Sequence, residues 1–367
     1  MFLFLPALAF AADLPRAVAA DTSWNPKAAA AYLDRRVEWW MSWPGAARDH
    51  GTFCISCHTA VVYSLARPAL HSSSGETGPS DGERRLLDNV RKRVRLSNEV
   101  EPFYEGRQAA GARGTEAVLN ALMLANHDVP SGRLSDDTRA AFNNMWSIQH
   151  ATGDAAGAWD WLQFENEPWE AHDSQYYGAA MAAVAIGCAP GSYRASPEIQ
   201  NHLELLRNYL NREFEKQSRI NEVAALWASV NWPGLLAPEQ RKALIDELGR
   251  SQQADGGWSL APLVWTFRDW AFRSLAKLWI YSEATPLNPK SDGYATGLIT
   301  FVLEQLEKPG DEHVKLARAW LMRNQDQKQG NWPAYSPNGK RDHARGEGLF
   351  MNDAATGYAV LALTGRE

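Results

Sequence analysis

The stretch Ser251-Gln-Gln-Ala-Asp-Gly-Gly-Trp258 recurs in outline at residues 149–159 and 325–332, where a Gln again leads through a Gly to a Trp. Each block lies between an amphipathic segment and an apolar one. A Gln at the end of a helix can bond its free carbonyl groups, and a Gly allows the turn that follows. We therefore expect each Gln to bond the end of the preceding helix, with the Trp packed over the junction.

The rest of the chain is organised as pairs of helices. Few segments alternate with a period of two, whereas many carry apolar residues at helical spacing. The predicted helices cover 26–43, 56–70, 83–97, 114–127, 135–150, 173–187, 197–215, 221–231, 238–252, 292–306, 311–324 and 353–363, with a loop at 71–82. The basic face of 83–97 is expected to face solvent. Roughly six pairs of one charged and one apolar helix predict a ring with the apolar helices inside.

Acidic residues recur near the starts of the apolar helices, and we interpret them mainly as helix caps at one mouth of the ring. They are Glu116, Asp173, Glu222, Asp292 and Asp353. His172, beside Asp173, has the chemistry of a general base. Asp173, Asp292, Asp353 and His172 are therefore the candidate catalytic residues, although no spacing among them defines a reaction.

The Gln…Gly-Gly-Trp blocks resemble the QW-type repeats of the squalene–hopene cyclase and protein prenyltransferase superfamily, over about residues 110–364. The resemblance implies an all-α (α/α)6 toroid, forming a single domain over 21–367. It does not extend to the chemistry, because the sequence lacks Asp-x-Asp-Asp and Asp-Asp-x-x-Asp motifs. The nearest acidic cluster, Ser135-Asp136-Asp137, is predicted to start a helix. The repeats predict a scaffold and leave its function open.

Residues 54–58 form the pentapeptide Cys-Ile-Ser-Cys-His. Two thiols at this spacing can add across the vinyl groups of haem, and the His that follows ligates the iron. We expect one covalent haem c, held by Cys54 and Cys57 with His58 as the metal ligand. The alternatives are a zinc or other metal site that adds His50 or His71 to these residues, or a disulfide or unused thiols.

The second axial ligand and the partners of the haem propionates stay open. An empty sixth position favours catalysis over electron transfer. The candidates for the second ligand are His50, His71, Met41, Met123 and Met351. The candidates for propionate partners are Arg48, Arg67, Arg107 and Arg113.

The apolar start of the chain predicts export. Met1–Ala12 is apolar and is followed by small residues, which is typical of a signal peptide, here predicted over 1–20, and of a periplasmic or otherwise exported protein. The alternative is a frayed helix of a cytosolic protein. A net charge of −6 gives no basic surface for nucleic acid. No later stretch reaches the ~20 apolar residues of a membrane span.

Together these features predict an exported monohaem c-type redox protein on a terpenoid-cyclase-like toroid, with an electron-transfer partner protein. The 16 Trp suggest an aromatic cavity wall that could hold an apolar small molecule, with Trp258, Trp265, Trp270 and Trp279 as candidates. One alternative is a haem-free cyclase or prenyltransferase-like enzyme, or an isoprenoid-binding protein, that uses carboxylates at the cavity mouth. Another is an inert interaction scaffold.

Overall fold

The computed structural model describes residues 23–264, 290–306, 310–338 and 342–365. The signal peptide predicted for 1–20 lies outside the described residues, as do Trp265, Trp270 and Trp279. The described chain is mostly helical and contains one short antiparallel hairpin, which is consistent with the all-α class.

The helices follow the predicted pairs closely. In chain order they are α1 Pro26–Ser42, α2 Ala60–Ala66, α3 His71–Ser74, α4 Asp81–Arg95, α5 Ala109–Asp128, α6 Asp136–Ser147, α7 Ser174–Cys188, α8 Gly191–Arg194, α9 Gln200–Glu213, α10 Arg219–Asn231, α11 Pro238–Ser251, α12 Ala261–Val264, α13 Gly293–Leu306, α14 Glu312–Asn324 and α15 Phe350–Thr364. The hairpin pairs β1 Ala47–Arg48 with β2 Thr52–Phe53.

The prediction for 56–82 is wrong in detail. The helix begins at Ala60, because the preceding residues form the turn of the pentapeptide, and it passes into a 3₁₀ turn at Arg67–Leu70. Pro68 is tolerated at the start of that turn, where its missing N–H has no partner to lose. The short helix α3 then occupies part of the predicted loop, and α4 begins early because Ser80 caps it.

The apolar helices pack on one another in chain order. Each of α2, α5, α7, α10, α13 and α15 contacts the next, and α15 also contacts α2. The charged-faced helices pack against this set, with α4 and α6 on α5, α9 on α7, and α14 on α13 and α15. Small residues such as those of α7, where Ala179, Ala180 and Ala182 are fully buried, allow the apolar helices to approach closely.

The three repeated junctions share one set of hydrogen bonds, which corrects the role expected of Gln. The indole N–H groups of Trp159, Trp258 and Trp332 donate to the carbonyls of Met145, Leu248 and Leu321, so Trp rather than Gln binds the end of the preceding helix. The amides of Gln149, Gln252 and Gln325 donate instead to the carbonyls of Gly157, Gly256 and Gly330 and to those of His202, His313 and Asn25. Each Gln thus ties its turn to the start of another charged-faced helix.

Gly330 lies where the last junction meets α1. Its φ is +88°, and a Cβ there would lie 2.1 Å from the carbonyl oxygen of Ala28. Gly234 offers a matched comparison, because its φ is +76° and nothing lies within 4 Å of the added carbon. We expect Gly234→Ala to lower the free energy of unfolding by about 1–2 kcal/mol through backbone strain alone.

Gly330→Ala is expected to cost about 1–3 kcal/mol more than Gly234→Ala, because the overlap with α1 adds to the same strain. Urea unfolding of both variants measures the difference. Equal destabilisation by the two substitutions would contradict the close contact between the last junction and the first helix.

The basic face of α4 is not wholly solvated as predicted. Arg93 is fully buried and binds the carboxylate of Glu116 on α5, the carbonyl of Glu101 and the hydroxyl of Thr52. Arg93 can be buried because the buried carboxylate of Glu116 neutralises its charge. The pair fixes α4 against α5 and against the hairpin that precedes the pentapeptide.

Candidate functional site

Hydrogen bonds before and within the pentapeptide at 54–58 hold it in place. Before it, the side-chain amide of Asn89 accepts from the backbone N–H of Phe53 at 2.9 Å and donates to its carbonyl at 3.0 Å. The indole of Trp40 donates to the carbonyl of Cys54 at 2.8 Å. Within it, the hydroxyl of Ser56 accepts from the backbone N–H groups of Thr59 and Ala60 and so caps α2. These hydrogen bonds therefore fix the conformation of the turn.

The thiols of Cys54 and Cys57 are free and buried. Burial raises the pKa of Cys54 to about 12, and the nearby positive charge of Arg48 opposes this shift. Burial likewise raises the pKa of Cys57 well above its usual value. Both groups are accordingly protonated thiols at neutral pH, and the alternative of a disulfide does not describe this structure.

The imidazole of His58 belongs to a chain of hydrogen bonds. Its Nδ1 lies 2.9 Å from the hydroxyl of Thr59, and that hydroxyl donates to Asp353 at 2.7 Å. A hydroxyl has one hydrogen, so with that hydrogen on Asp353 it can only accept from His58. Nδ1 of His58 therefore carries a proton and donates it to the hydroxyl of Thr59.

Asp353 is the last member of this series of hydrogen bonds and lies in the protein interior. Arg36 donates to its two carboxylate oxygens at 2.6 and 2.9 Å, and the hydroxyl of Tyr32 donates to it at 2.8 Å. Burial raises the pKa of Asp353, while the hydrogen bonds from Arg36, Thr59 and Tyr32 oppose the shift. The prediction that Asp353 is a helix cap is wrong, since it lies inside α15 and joins α1, α2 and α15 at one point.

Three aromatic side chains enclose the imidazole of His58. The ring of Phe350 stacks on it with a centroid distance of 3.7 Å, and the ring of Trp40 meets it edge-on at 5.3 Å. Trp169 lies 5.6 Å away on a loop between α6 and α7. These rings fix the orientation of the imidazole and surround it with apolar surface.

The loop that carries Trp169 is anchored at two points. The indole of Trp161 donates to the carbonyl of Trp169 at 2.8 Å. The side-chain amide of Asn338, from the segment before α15, accepts from the N–H of Glu167 and donates to its carbonyl. Two segments far apart in sequence thus place Trp169 against His58.

Two buried polar groups lie side by side next to this site. They are the indole N–H of Trp169 and the hydroxyl of Tyr294. The two rings lie 5.7 Å apart, and the Cys57 thiol is close enough to influence the pKa of Tyr294, which burial raises. A hydrogen bond from the indole of Trp169 opposes the effect of burial on the pKa of Tyr294, so each of the two groups has the other as its partner.

These observations test whether the site fits a c-type haem. Two free thiols, followed by a histidine whose Nδ1 is bound by Thr59, match the donor set that such a haem requires. Of the four arginines proposed for its propionates, Arg48 is the one whose charge acts on Cys54. The residues present therefore fit the group in their chemistry.

Arg48 itself donates to the carbonyls of Gly45, Ala47 and Phe103, and the other three arginines are engaged or exposed. Arg67 is buried and pairs with Asp34 and Glu76. Arg113 donates to backbone carbonyls, and Arg107 is exposed.

The metal-site alternative draws no support from the described part of the chain, which contains no group of three His, Cys, Asp or Glu side chains arranged to hold a metal ion. His50 pairs with Asp49, and His71 pairs with Glu83, which also serves the cap of α4. Of the proposed second axial ligands, Met123 and Met351 are buried in α5 and α15, and Met41 is partly buried.

The remaining catalytic candidates have structural partners. Asp292 caps α13 by accepting from the backbone N–H groups of Tyr294 and Ala295, and it also accepts from that of Leu260. Burial raises its pKa to about 6. Asp173 makes no cap bond to α7 and accepts instead from the N–H of Ser218 before α10, and His172 is exposed.

The acids Glu116 and Glu222 are likewise not caps. Glu116 is the buried partner of Arg93, and Glu222 pairs with Arg219 within α10. The cap prediction therefore holds for Asp292 but is wrong for Asp173, Asp353, Glu116 and Glu222.

Sequence reasoning missed the residues that surround His58. They are Thr59, Arg36, Tyr32, Phe350, Trp40 and Trp169. A signal was present in α1, where Tyr32 and Arg36 share the face of apolar residues such as Leu33 and Val37. A tyrosine and an arginine on a buried face need a polar partner, and a buried carboxylate is the natural one.

Cavities of about 400–650 Å³ occur among the described residues, and those we describe are lined by side chains other than Cys54, Cys57 and His58. Within the described ranges, no helix combines the length and the apolar character that a membrane crossing needs.

Neither a scan against protein-family models nor a search of curated proteins finds a match to this chain.

Proposed function

We infer that the helix pairs form an (α/α)6 toroid of the kind that the squalene–hopene cyclase and prenyltransferase resemblance implies. The inference is supported by the packing order of the apolar helices, in which α15 contacts α2. It is also supported by the last junction, where Gln325 both donates to and accepts from the backbone of Asn25 at the start of α1. A closed ring explains why the last repeat bonds the first helix.

We propose that this chain is an exported monohaem c-type redox protein. Cys54 and Cys57 would hold the haem through thioether bonds, and Nε2 of His58 would ligate the iron. The observation that carries the proposal is the hydrogen-bonded series His58–Thr59–Asp353, which begins directly after the two free thiols. A bound c-type haem supplies a one-electron couple of the iron.

The side chains around His58 have definable roles in this proposal. Asp353 accepts from Thr59, and Thr59 in turn accepts the proton of Nδ1, which holds the imidazole in one tautomer and raises its basicity. Arg36 opposes the rise that burial causes in the pKa of Asp353 and holds its carboxylate in place. Phe350, Trp40 and Trp169 pack against the imidazole and fix its orientation. The electron partner would be another protein.

We restrict the proposal to the haem and do not add an apolar ligand of the toroid. Trp227 contacts Phe301 and Tyr358, and Tyr358 contacts Tyr294, with centroid distances of 5.4 to 6.2 Å. These rings come from α10, α13 and α15 and are packed on one another, so a ligand among them would have to displace them. The acids available to a haem-free cyclase are engaged in hydrogen bonds or ion pairs, as described above.

Changing Thr59 to Val tests the role of the hydroxyl with little change of shape. We expect the variant to retain covalent haem and its reduction potential to rise by roughly 60 mV, equivalent to a tenfold change in the equilibrium. The cause is that Nδ1 loses its link to Asp353 and the imidazole becomes a weaker electron donor. A potentiometric titration followed through the Soret band provides the measurement.

Thr300→Val is the matched control, because the hydroxyl of Thr300 is also buried but donates only within α13. Its potential should equal that of the unmodified protein. A colourless protein, with no dithionite-dependent spectrum, would overturn the proposed function. A red protein with the same potential in the Thr59 and Thr300 variants would overturn only the role of Thr59.

A further inference from the structure

A cavity of about 610 Å³ lies between α4, α5 and α6, on the side of α5 that carries Glu116 and Asn120. It is separate from the pentapeptide, since none of residues 54–58 lines it. Its walls combine apolar and polar side chains, and the polar ones include Asn98, Asn120, Asn143, Asn144, Ser97 and Ser147. The question is which ligand this lining would recognise.

The charged side chains that line the cavity are already engaged in hydrogen bonds within the protein. Arg93 and Glu116 form a buried pair in which two guanidinium nitrogens bind the two carboxylate oxygens. Arg113 donates to the backbone carbonyls of Ser97 and Val100. A charged ligand would have to compete with these internal partners, so the lining favours a neutral one.

Asn120 supplies a polar atom that needs a partner. Its side chain is 4% exposed, and its Oδ1 has no hydrogen-bond partner among the described residues. Nearby, the amide of Asn144 donates to the carbonyl of Val94, which leaves its own carbonyl oxygen on the cavity wall as an acceptor. An unpaired buried amide oxygen is unfavourable, and a ligand hydroxyl would supply its missing hydrogen bond.

We propose that this cavity binds a small neutral polyhydroxylated molecule, a sugar or a polyol. Amide and hydroxyl side chains both donate and accept hydrogen bonds, as the hydroxyl groups of such a molecule do. Val94, Ala117 and Ile148 supply apolar surface for its C–H groups. The volume accommodates a ligand of mono- or disaccharide size. The site is independent of the haem proposal.

Saturation-transfer difference NMR of the full chain tests this proposal, with glucose, N-acetylglucosamine, trehalose and glycerol as neutral probes. Gluconate and glucosamine serve as charged comparators of similar size. We expect at least one neutral probe to bind and both charged comparators to bind more weakly. Asn120→Leu removes the amide at similar volume and should weaken binding about tenfold or more.

Ile148→Trp provides a second variant that does not depend on a core substitution. Ile148 is 43% exposed at the rim, so a larger side chain there obstructs the cavity while the fold is kept. Val129→Trp is its control, because Val129 is 52% exposed and does not line the cavity. Ile148→Trp should abolish binding, and Val129→Trp should leave it unchanged.

The absence of signal from every neutral probe would overturn the proposal. So would charged comparators that bind as well as the neutral probes, or binding that survives in both cavity variants. If Asn120→Leu does not fold, the comparison of Ile148→Trp with Val129→Trp decides the matter alone.

Discussion

Replacing Asp353 with alanine is expected to lower the free energy of unfolding by about 3–5 kcal/mol, the usual cost of leaving one partner of a buried ion pair without the other. Asp353 is 1% exposed and binds Arg36, Tyr32 and Thr59. The variant would leave a guanidinium and two hydroxyl groups without their acceptor. Urea unfolding followed by circular dichroism measures the change.

Asp342→Ala is the control for this experiment. Asp342 also pairs with an arginine, Arg345, but at 3.8 Å and with 63% of its side chain exposed. An exposed pair of this kind contributes about 0–1 kcal/mol, so the control should unfold close to the unmodified protein. If the two substitutions destabilise the chain equally, Asp353 is not the buried junction of α1, α2 and α15.

Replacing both Cys54 and Cys57 with serine is expected to remove covalently bound haem completely. A serine hydroxyl does not form the thioether bond to the haem vinyl groups, so any haem that remains would be lost on extraction with acid and acetone. The readout is the haem retained by denatured protein from a host that matures c-type cytochromes. The expected change is from one haem per chain to none.

The third cysteine of the chain provides the matched control. Cys188 lies in α7 and is also free, and burial raises its pKa to about 11, but it is far in sequence from the pentapeptide. Cys188→Ser should retain the full amount of haem. Retention of covalent haem in the double variant would show that these thiols are not its attachment site.

The sequence predicted the helical class and most helix positions because apolar residues at helical spacing are a local signal. The structure confirms, for example, an α7 of mostly small and apolar residues and an α6 that begins after Ser135, whose hydroxyl caps it. The sequence also identified the Gln and the Trp of each repeat, but the end of the preceding helix is bound by the Trp and not by the Gln. Their partners lie on helices far along the chain, such as Asn25 for Gln325, and local spacing does not reveal them.

The same reason explains why most of the acidic residues were wrongly predicted to be helix caps. A carboxylate near a helix start is usually a cap. Asp353 binds Arg36 across 317 residues of sequence, and Glu116 binds Arg93 across 23, so only the packed helices bring these charges together. The pentapeptide at 54–58 was visible as a motif, whereas the partner of His58 depends on α15 and the enclosing rings depend on three separate segments.

The central claim is that Cys54 and Cys57 carry haem with His58 as its ligand. The most direct measurement is a pyridine haemochrome spectrum of the denatured, acid–acetone-extracted protein, produced from the full sequence in a host that matures c-type cytochromes. We predict an α-band typical of c-type haem, with about one haem per chain. An extracted protein without haem, alongside a control cytochrome that the same host matures, would contradict the claim.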